Sequence, residues 1–136
     1  MTKRTTPRGI RNNNPLNIRI GNAWVGEVAY PTDPDFEQFK EMKYGLRAAF
    51  ILLRRYIFHY RRTTLSAIVS AWAPSSENNT RAYIKSVSQL AGIPADATID
   101  FCDEQTMLAL VGAMIRVECG EAVATDVIRE AYKMVL

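Results

Sequence analysis

Glu118 lies at the end of a segment, residues 107–119, in which Met107, Leu108, Leu110, Val111, Met114, Ile115 and Val117 leave little room for a polar stripe. A helix with that pattern is buried nearly all round. Burial disfavours a carboxylate, and the negative end of the helix dipole disfavours it further. Both effects raise the pKa, which is how a carboxyl group stays protonated near neutral pH and serves as a general acid. Alternatively, Glu118 simply emerges into solvent where Cys119 and Gly120 end the helix, and the residue pattern leaves both readings open.

Other residue types with chemical capacity are spread along the chain. Arg11, Asn12, Asn13 and Asn14, followed by Pro15, form a run of amides suited to side-chain-to-backbone bonds, or to a sugar or phosphate partner. An ordinary Asx-rich turn would use the same residues. Trp24, Tyr30, Trp72 and Tyr83 could line a groove for sugar rings or bases, although Trp72 at helical spacing reads as core. His59 has no neighbouring Ser or Cys that would suggest a triad, so a structural or surface role is expected. Arg54, Arg55, Arg61 and Arg62 could meet phosphates, but on a helix with an apolar opposite side such a run is usually a solvated face. Phosphate-loop, dinucleotide and metalloprotease patterns are absent, and Cys102 and Cys119 have no histidine spacing for zinc. Both cysteines are expected to be reduced, and neither a metal nor a cofactor is expected.

These residues need a scaffold, and 136 residues with 48% hydrophobic content provide one compact domain with a real core. Residues 1–8 read as a flexible basic arm and residues 9–136 as the domain. No apolar run reaches the length of a membrane span, and the basic, polar N-terminus does not resemble a signal peptide. Synthesis in the cytoplasm is therefore expected. The net charge of +3 is uneven, about +7 over residues 1–68 and −4 over 69–136, which suggests a basic face opposite an acidic one.

Alternation of Leu16, Ile18 and Ile20 before Gly21 and Asn22 predicts a small β-hairpin that includes Trp24, Val25 and Gly26. Phe36 and Phe39 fit a short third strand or a helical turn. Beyond Gly45 the period becomes helical. Leu46, Ala49, Phe50, Leu53, Ile57 and Tyr60 predict a long helix, and Thr63 or Thr64 can cap a second that stops at Pro74. Asn79 or Thr80 can cap a third helix through Tyr83 and Val87, closed by Gly92. The apolar helix ending at Glu118 and an amphipathic last helix complete a mainly α (α+β) domain of about five helices.

Several of these blocks resemble the lysozyme-like superfamily of peptidoglycan-cleaving enzymes, particularly lytic transglycosylases and flagellar-type muramidases. Asn14 to Ile18, then Trp24, Val25 and Gly26, then Phe36 and Phe39, resemble a muramidase block in which an Asn-Leu-Phe-Gly-Ile strand leads to Trp-x-Gly. Asn79, Thr80, Arg81, Ala82, Tyr83 and Ile84 resemble the transglycosylase block Glu-Thr-Arg-x-Tyr-Val, with Asn79 in place of its Glu. Met114 to Gly120 resemble the helix that ends in the catalytic Glu, with Cys119 where Ser or Asn is usual. In the superfamily that catalytic block comes first. Here it comes last, as a circular permutation would place it. The set also resembles phage or prophage proteins, virion-associated structural or lytic, that share the stretch from Gly9 to Pro15 and that from Trp72 to Thr80.

The resemblance implies an enzyme acting on the bond between N-acetylmuramic acid and N-acetylglucosamine. Glu118 would be the acid, Tyr83 and Thr80 would support it, and Asn14, Asn17, Trp24, Gly26 and Asn79 would shape the substrate cleft. Hydrolysis usually needs a second carboxylate, about 5 Å away in retaining enzymes and about 6.5 to 9.5 Å in inverting ones. Candidates are Glu27, Asp33, Asp35 and Glu121, none singled out by its context, which favours a one-carboxylate transglycosylase reaction. The implied partners are peptidoglycan glycan strands and phage particle proteins, not nucleic acid, with action on the wall after virion delivery or at lysis. The competing function is a non-catalytic phage structural or nucleic-acid-binding protein that keeps the fold.

Overall fold

In the computed structural model, which describes residues 5–76 and 78–136, the chain forms six helices in the order α1 (Arg8–Arg11), α2 (Met42–Phe58), α3 (Leu65–Trp72), α4 (Thr80–Ala91), α5 (Glu104–Cys119) and α6 (Thr125–Lys133). The apolar α5 is the axis. It packs against α4, α6 and α1, while α2 closes the far side against α6 and α3. Met107, Leu110, Val111, Met114 and Ile115 of α5 are fully buried, as are Leu46, Phe50 and Leu53 of α2. Tyr132 of α6 locks the two sides. Its ring meets Phe50 edge-on at 5.3 Å, and its hydroxyl donates to the Phe101 carbonyl at 2.6 Å, so a buried polar tip is satisfied.

Side chains cap three helix starts. Thr64, Asn79 and Asp103 accept from the backbone N–H groups of Ala67, Ala82 and Thr106. Each such cap is worth about 1 kcal/mol. Gly92 and Gly120 end α4 and α5 in the left-handed conformation, both at φ 69°, which glycine adopts without steric cost.

The N-terminal third departs from the expected hairpin. Among the described residues there are no strands, only isolated bridges, and the two segments flanking Gly21 and Asn22 both pair with residues 36–39. Arg19 bridges Phe36, and Glu27 bridges Phe39. Leu16, Ile18 and Phe39 are buried together, so the alternating segment finds its apolar partner further along the chain than a tight turn would put it. The short α1 is additional to the five expected helices. Residues 1–4 of the expected arm lie outside the described residues, and Arg8 at its other end is tied down, with its guanidinium donating twice to Asp33 at 2.6 Å. That pairing holds the Asp33 carboxyl far below the usual carboxylate range.

Asparagine amides take the place of a ladder here. Asn14, wholly buried, donates to the carbonyls of Ile18 and Glu37 and accepts from the Ile18 N–H. Asn12 donates to Asp33 and Asn13 to the Phe39 carbonyl. Asn13 is left-handed (φ 53°), and its carbonyl lies where Gly45 of α2 leaves room. The long helix begins at Met42 rather than after Gly45, so this glycine sits inside its first turn and permits the close approach.

A Cβ on Gly45 would fall 1.9 Å from the Asn13 carbonyl oxygen, a backbone atom that cannot swing away. Gly45→Ala should therefore cost about 3 kcal/mol, read as a fall of about 10 °C in Tm. A second test concerns Glu37, two residues from the bridge partner of Glu27 and hence on the same face. Oε1 of Glu27 and Oε2 of Glu37 are both buried without a hydrogen-bond partner among the described residues. Burial, and then the neighbouring Glu27 carboxyl, push Glu37 up from 4.5 to about 7. An acid whose folded pKa is raised stabilises the fold fully below its unfolded value, and that contribution is lost as pH rises through the folded value. Urea unfolding at steps between about pH 4.5 and pH 8 should show stability falling with pH, and Glu37→Gln should remove that component of the slope.

Candidate functional site

Glu118 is delivered by the last turn of α5, one residue before the helix ends at Cys119 and Gly120 reverses the chain. Its side chain is half-buried, not projected into solvent, and two elements distant in sequence complete its surroundings. The Asn17 side-chain amide donates to Oε2 at 2.8 Å, and the Tyr83 hydroxyl donates to Oε1 at 3.1 Å. Asn17 reaches it because its backbone is left-handed (φ 53°), with its N–H donating to the Asn14 carbonyl. Tyr83, 7% exposed, comes from the inner face of α4.

The electrostatics follow from this enclosure. Burial raises the Glu118 pKa, and the bonds from Asn17 and then Tyr83 pull it partly back by favouring the ionised form. Tyr83 is pushed well above its usual range by burial and by the carboxyl beside it, so it stays a donor. Cys119 donates its thiol to the Pro15 carbonyl at 3.2 Å and is pushed up to about 11, first by burial, so it remains a protonated structural thiol. Gly9 of α1 lies behind this cluster. A Cβ there would come within 3.0 Å of Asn17 Oδ1 and of Cys119 Sγ.

In front of Glu118 opens a recess of about 310 Å³, walled by Asn78, Asn79, Tyr83, Ser86 and Val117. Among the described residues it holds a single carboxyl group. Asp33 and Asp35 are engaged by Arg8, and Glu27 faces Glu37; none of these, nor Glu121, lines the recess. Asn17 also lines an adjoining recess of about 340 Å³, with Arg19, Asn22, Tyr56 and Trp72. Trp72, read from sequence as core, is only half-buried and meets Tyr56 edge-on at 5.9 Å.

Of the residues named from sequence, Glu118, Tyr83, Asn17 and Asn79 come together. Asn14 does not reach the recess, because its amide is wholly committed to backbone partners. Thr80 donates its hydroxyl to the Ala73 carbonyl and so braces the loop before α4. Trp24 and Gly26 line neither recess. Gly26, at φ 85°, lies against the Tyr44 ring and belongs to the framework. Asn78, Ser86 and Val117 were missed by sequence reasoning. The signal for Ser86 was its position three residues after Tyr83, on the same helical face. Among the described residues, no group of three or more His, Cys, Asp or Glu side chains is placed to hold a metal ion. Nor is any helix long and apolar enough to cross a membrane.

The two donors make a prediction that needs no substrate. Asn17→Ala and Tyr83→Phe each remove a bond that favours the ionised carboxyl, so each should raise the Glu118 pKa above its already raised value. Carbon-13 NMR titration of the glutamate carboxyls checks the direction, and a downward shift in either variant would contradict this account of the site.

No family model matches the sequence. Protein P5 of Pseudoalteromonas phage PM2 is 38% identical over 131 residues, spanning 93% of this chain and 80% of that protein. A likeness of that strength over nearly the whole chain means that this protein belongs to the family of the phage PM2 protein P5.

Proposed function

We propose that the protein cleaves the glycan strands of peptidoglycan between N-acetylmuramic acid and N-acetylglucosamine, on a circularly permuted lysozyme-like domain, with Glu118 as the acid. The observation that carries this reading is a protonatable, half-buried carboxyl held by Asn17 and Tyr83 at the wall of an amide-lined recess. Each carboxyl oxygen accepts one bond from these donors and keeps a lone pair for other use. A proton carried there passes to the glycosidic oxygen as the bond to the muramic acid C1 breaks and that ring approaches an oxocarbenium-like state. The carboxylate left behind is stabilised by the same two hydrogen bonds.

With one carboxyl group in the recess, the ionised Glu118 then takes the proton from a hydroxyl of the muramic acid itself. That oxygen bonds to C1 and closes an anhydro ring, so no water is consumed and Glu118 regains its proton. This is the lytic transglycosylase outcome. Membership of a phage protein's family fits action on the wall after virion delivery or at lysis.

Purified peptidoglycan should lose turbidity with the wild-type chain and yield anhydro-muramyl ends by mass spectrometry. Glu118→Gln keeps size, its oxygen can accept from Asn17 and its NH2 can donate to the Tyr83 oxygen, but it cannot donate the proton, so clearing should fall by about a hundredfold or more with Tm little changed. Clearing retained in that variant would remove Glu118 from the chemistry, and reducing ends would assign hydrolysis instead.

A further inference from the structure

Three recesses share wall residues in series, and the hydrogen bond between Asn17 and Glu118 joins this series to the Glu118 recess, giving one path. Asn17 touches Glu118 and lines the recess that contains Tyr56, Ala71 and Trp72. Tyr56 and Ala71 in turn wall a third recess of about 350 Å³ with Tyr60 and Arg62. Tyr60 then divides this from a fourth, of about 460 Å³, lined by Arg54, Arg55, Phe58 and His59 at the end of α2. Phe58 and Tyr60, 55% and 56% exposed, present aromatic surface to this end of the path.

The two ends of the path differ in charge. The Glu118 recess contains no basic side chain, whereas the last two contain three arginines and no acid. Arg54 is fixed by donating to the Val135 carbonyl, while among the described residues Arg55 and Arg62 have no ion pair. Arg61, at φ 57°, turns the chain so that the Arg62 N–H returns to the Tyr56 carbonyl, which keeps Arg62 beside the path.

We propose that this path binds one linear glycan strand beyond the point of cleavage, and that Arg55 and Arg62 form a docking site for carboxylates borne on the strand. The proposal rests on the function proposed above and names where its substrate is held. Pyranose rings offer apolar faces that pack on Tyr56, Trp72 and Tyr60, and guanidinium forks match carboxylates. A nucleic acid fits less well. It carries a phosphate at every nucleotide, whereas the Glu118 recess at the reacting end of the path offers a carboxyl group and no cation.

The test uses the full chain carrying Glu118→Gln, so that binding is read without cleavage, in pelleting assays with purified insoluble peptidoglycan. Adding Arg55→Ala and Arg62→Ala, both at exposed positions, should weaken binding about tenfold and flatten its salt dependence. On peptidoglycan whose carboxylates have been amidated, the chains with and without these arginines should bind alike. Equal binding to the untreated polymer would overturn the docking site, as would an oligothymidylate binding more tightly than the wall polymer through the same arginines. Cleavage by the wild type is scored separately. Arginine-dependent binding without any clearing leaves the docking site standing and removes the enzyme, and clearing with arginine-independent binding does the reverse.

Discussion

A carboxyl group at the end of a helix buried over most of its surface, with only Gln105 and Arg116 exposed, is the constraint around which this domain is arranged. The apolar pattern of α5 requires neighbours on nearly every side, and α1, α4 and α6 supply them. The same enclosure denies Glu118 full hydration, so its polar atoms need donors from the elements that cover it. One donor comes from α4, which packs against α5 along its length. The other must come from the N-terminal segment, which has almost no regular structure and 101 residues of separation.

That segment is held by amides. A strand ladder would fix Asn17 through repeated backbone pairs, but here Asn14 serves as an internal bracket between Ile18 and Glu37, and two left-handed asparagines bend the chain around it. Asparagine tolerates this conformation better than other side chains because its short amide can bond locally. Two glycines make the bracket fit. Gly45 lets the loop lie against α2, and Gly9 lets α1 lie against Asn17 and Cys119. Packing at these two points therefore reaches Glu118 through Asn17, although neither glycine touches it.

What was legible in the sequence follows from how local the cause is. The capping roles of Thr64, Asn79, Gly92 and Gly120 were readable because a cap depends on a few neighbouring residues. The burial of most of α5 was readable from its apolar run, although Gln105 and Arg116 mark a narrow exposed stripe that the pattern was expected to exclude. The start of α2 was not: its N-cap, Glu41, makes no side-chain capping bond, and Gly45 within the helix looks like a boundary until its contact with Asn13 is seen. The hairpin failed for a related reason. Alternation predicts an extended segment with one buried side, but it does not name the partner, and burial with Phe39 outweighed the turn at Gly21 and Asn22. Near Glu118, its pairing with Tyr83 was legible by residue type and motif, whereas Asn14, expected to shape the cleft, is wholly buried and bonded to backbone groups.

The charge asymmetry can now be placed. An arginine near Glu118 would attract the substrate's carboxylates, but it would also stabilise the ionised acid and lower the pKa that burial raises. A site that needs a neutral acid and an anionic polymer at once has to separate the two functions in space. Under the proposed function, amides at the reacting end would bind sugar without adding charge, and Tyr56 and Trp72, with Arg19 in the same recess, would carry rings between. The guanidinium groups of Arg54, Arg55 and Arg62 lie toward the end of α2 and just beyond it, where under that proposal they would hold the polymer without stabilising the ionised form of Glu118.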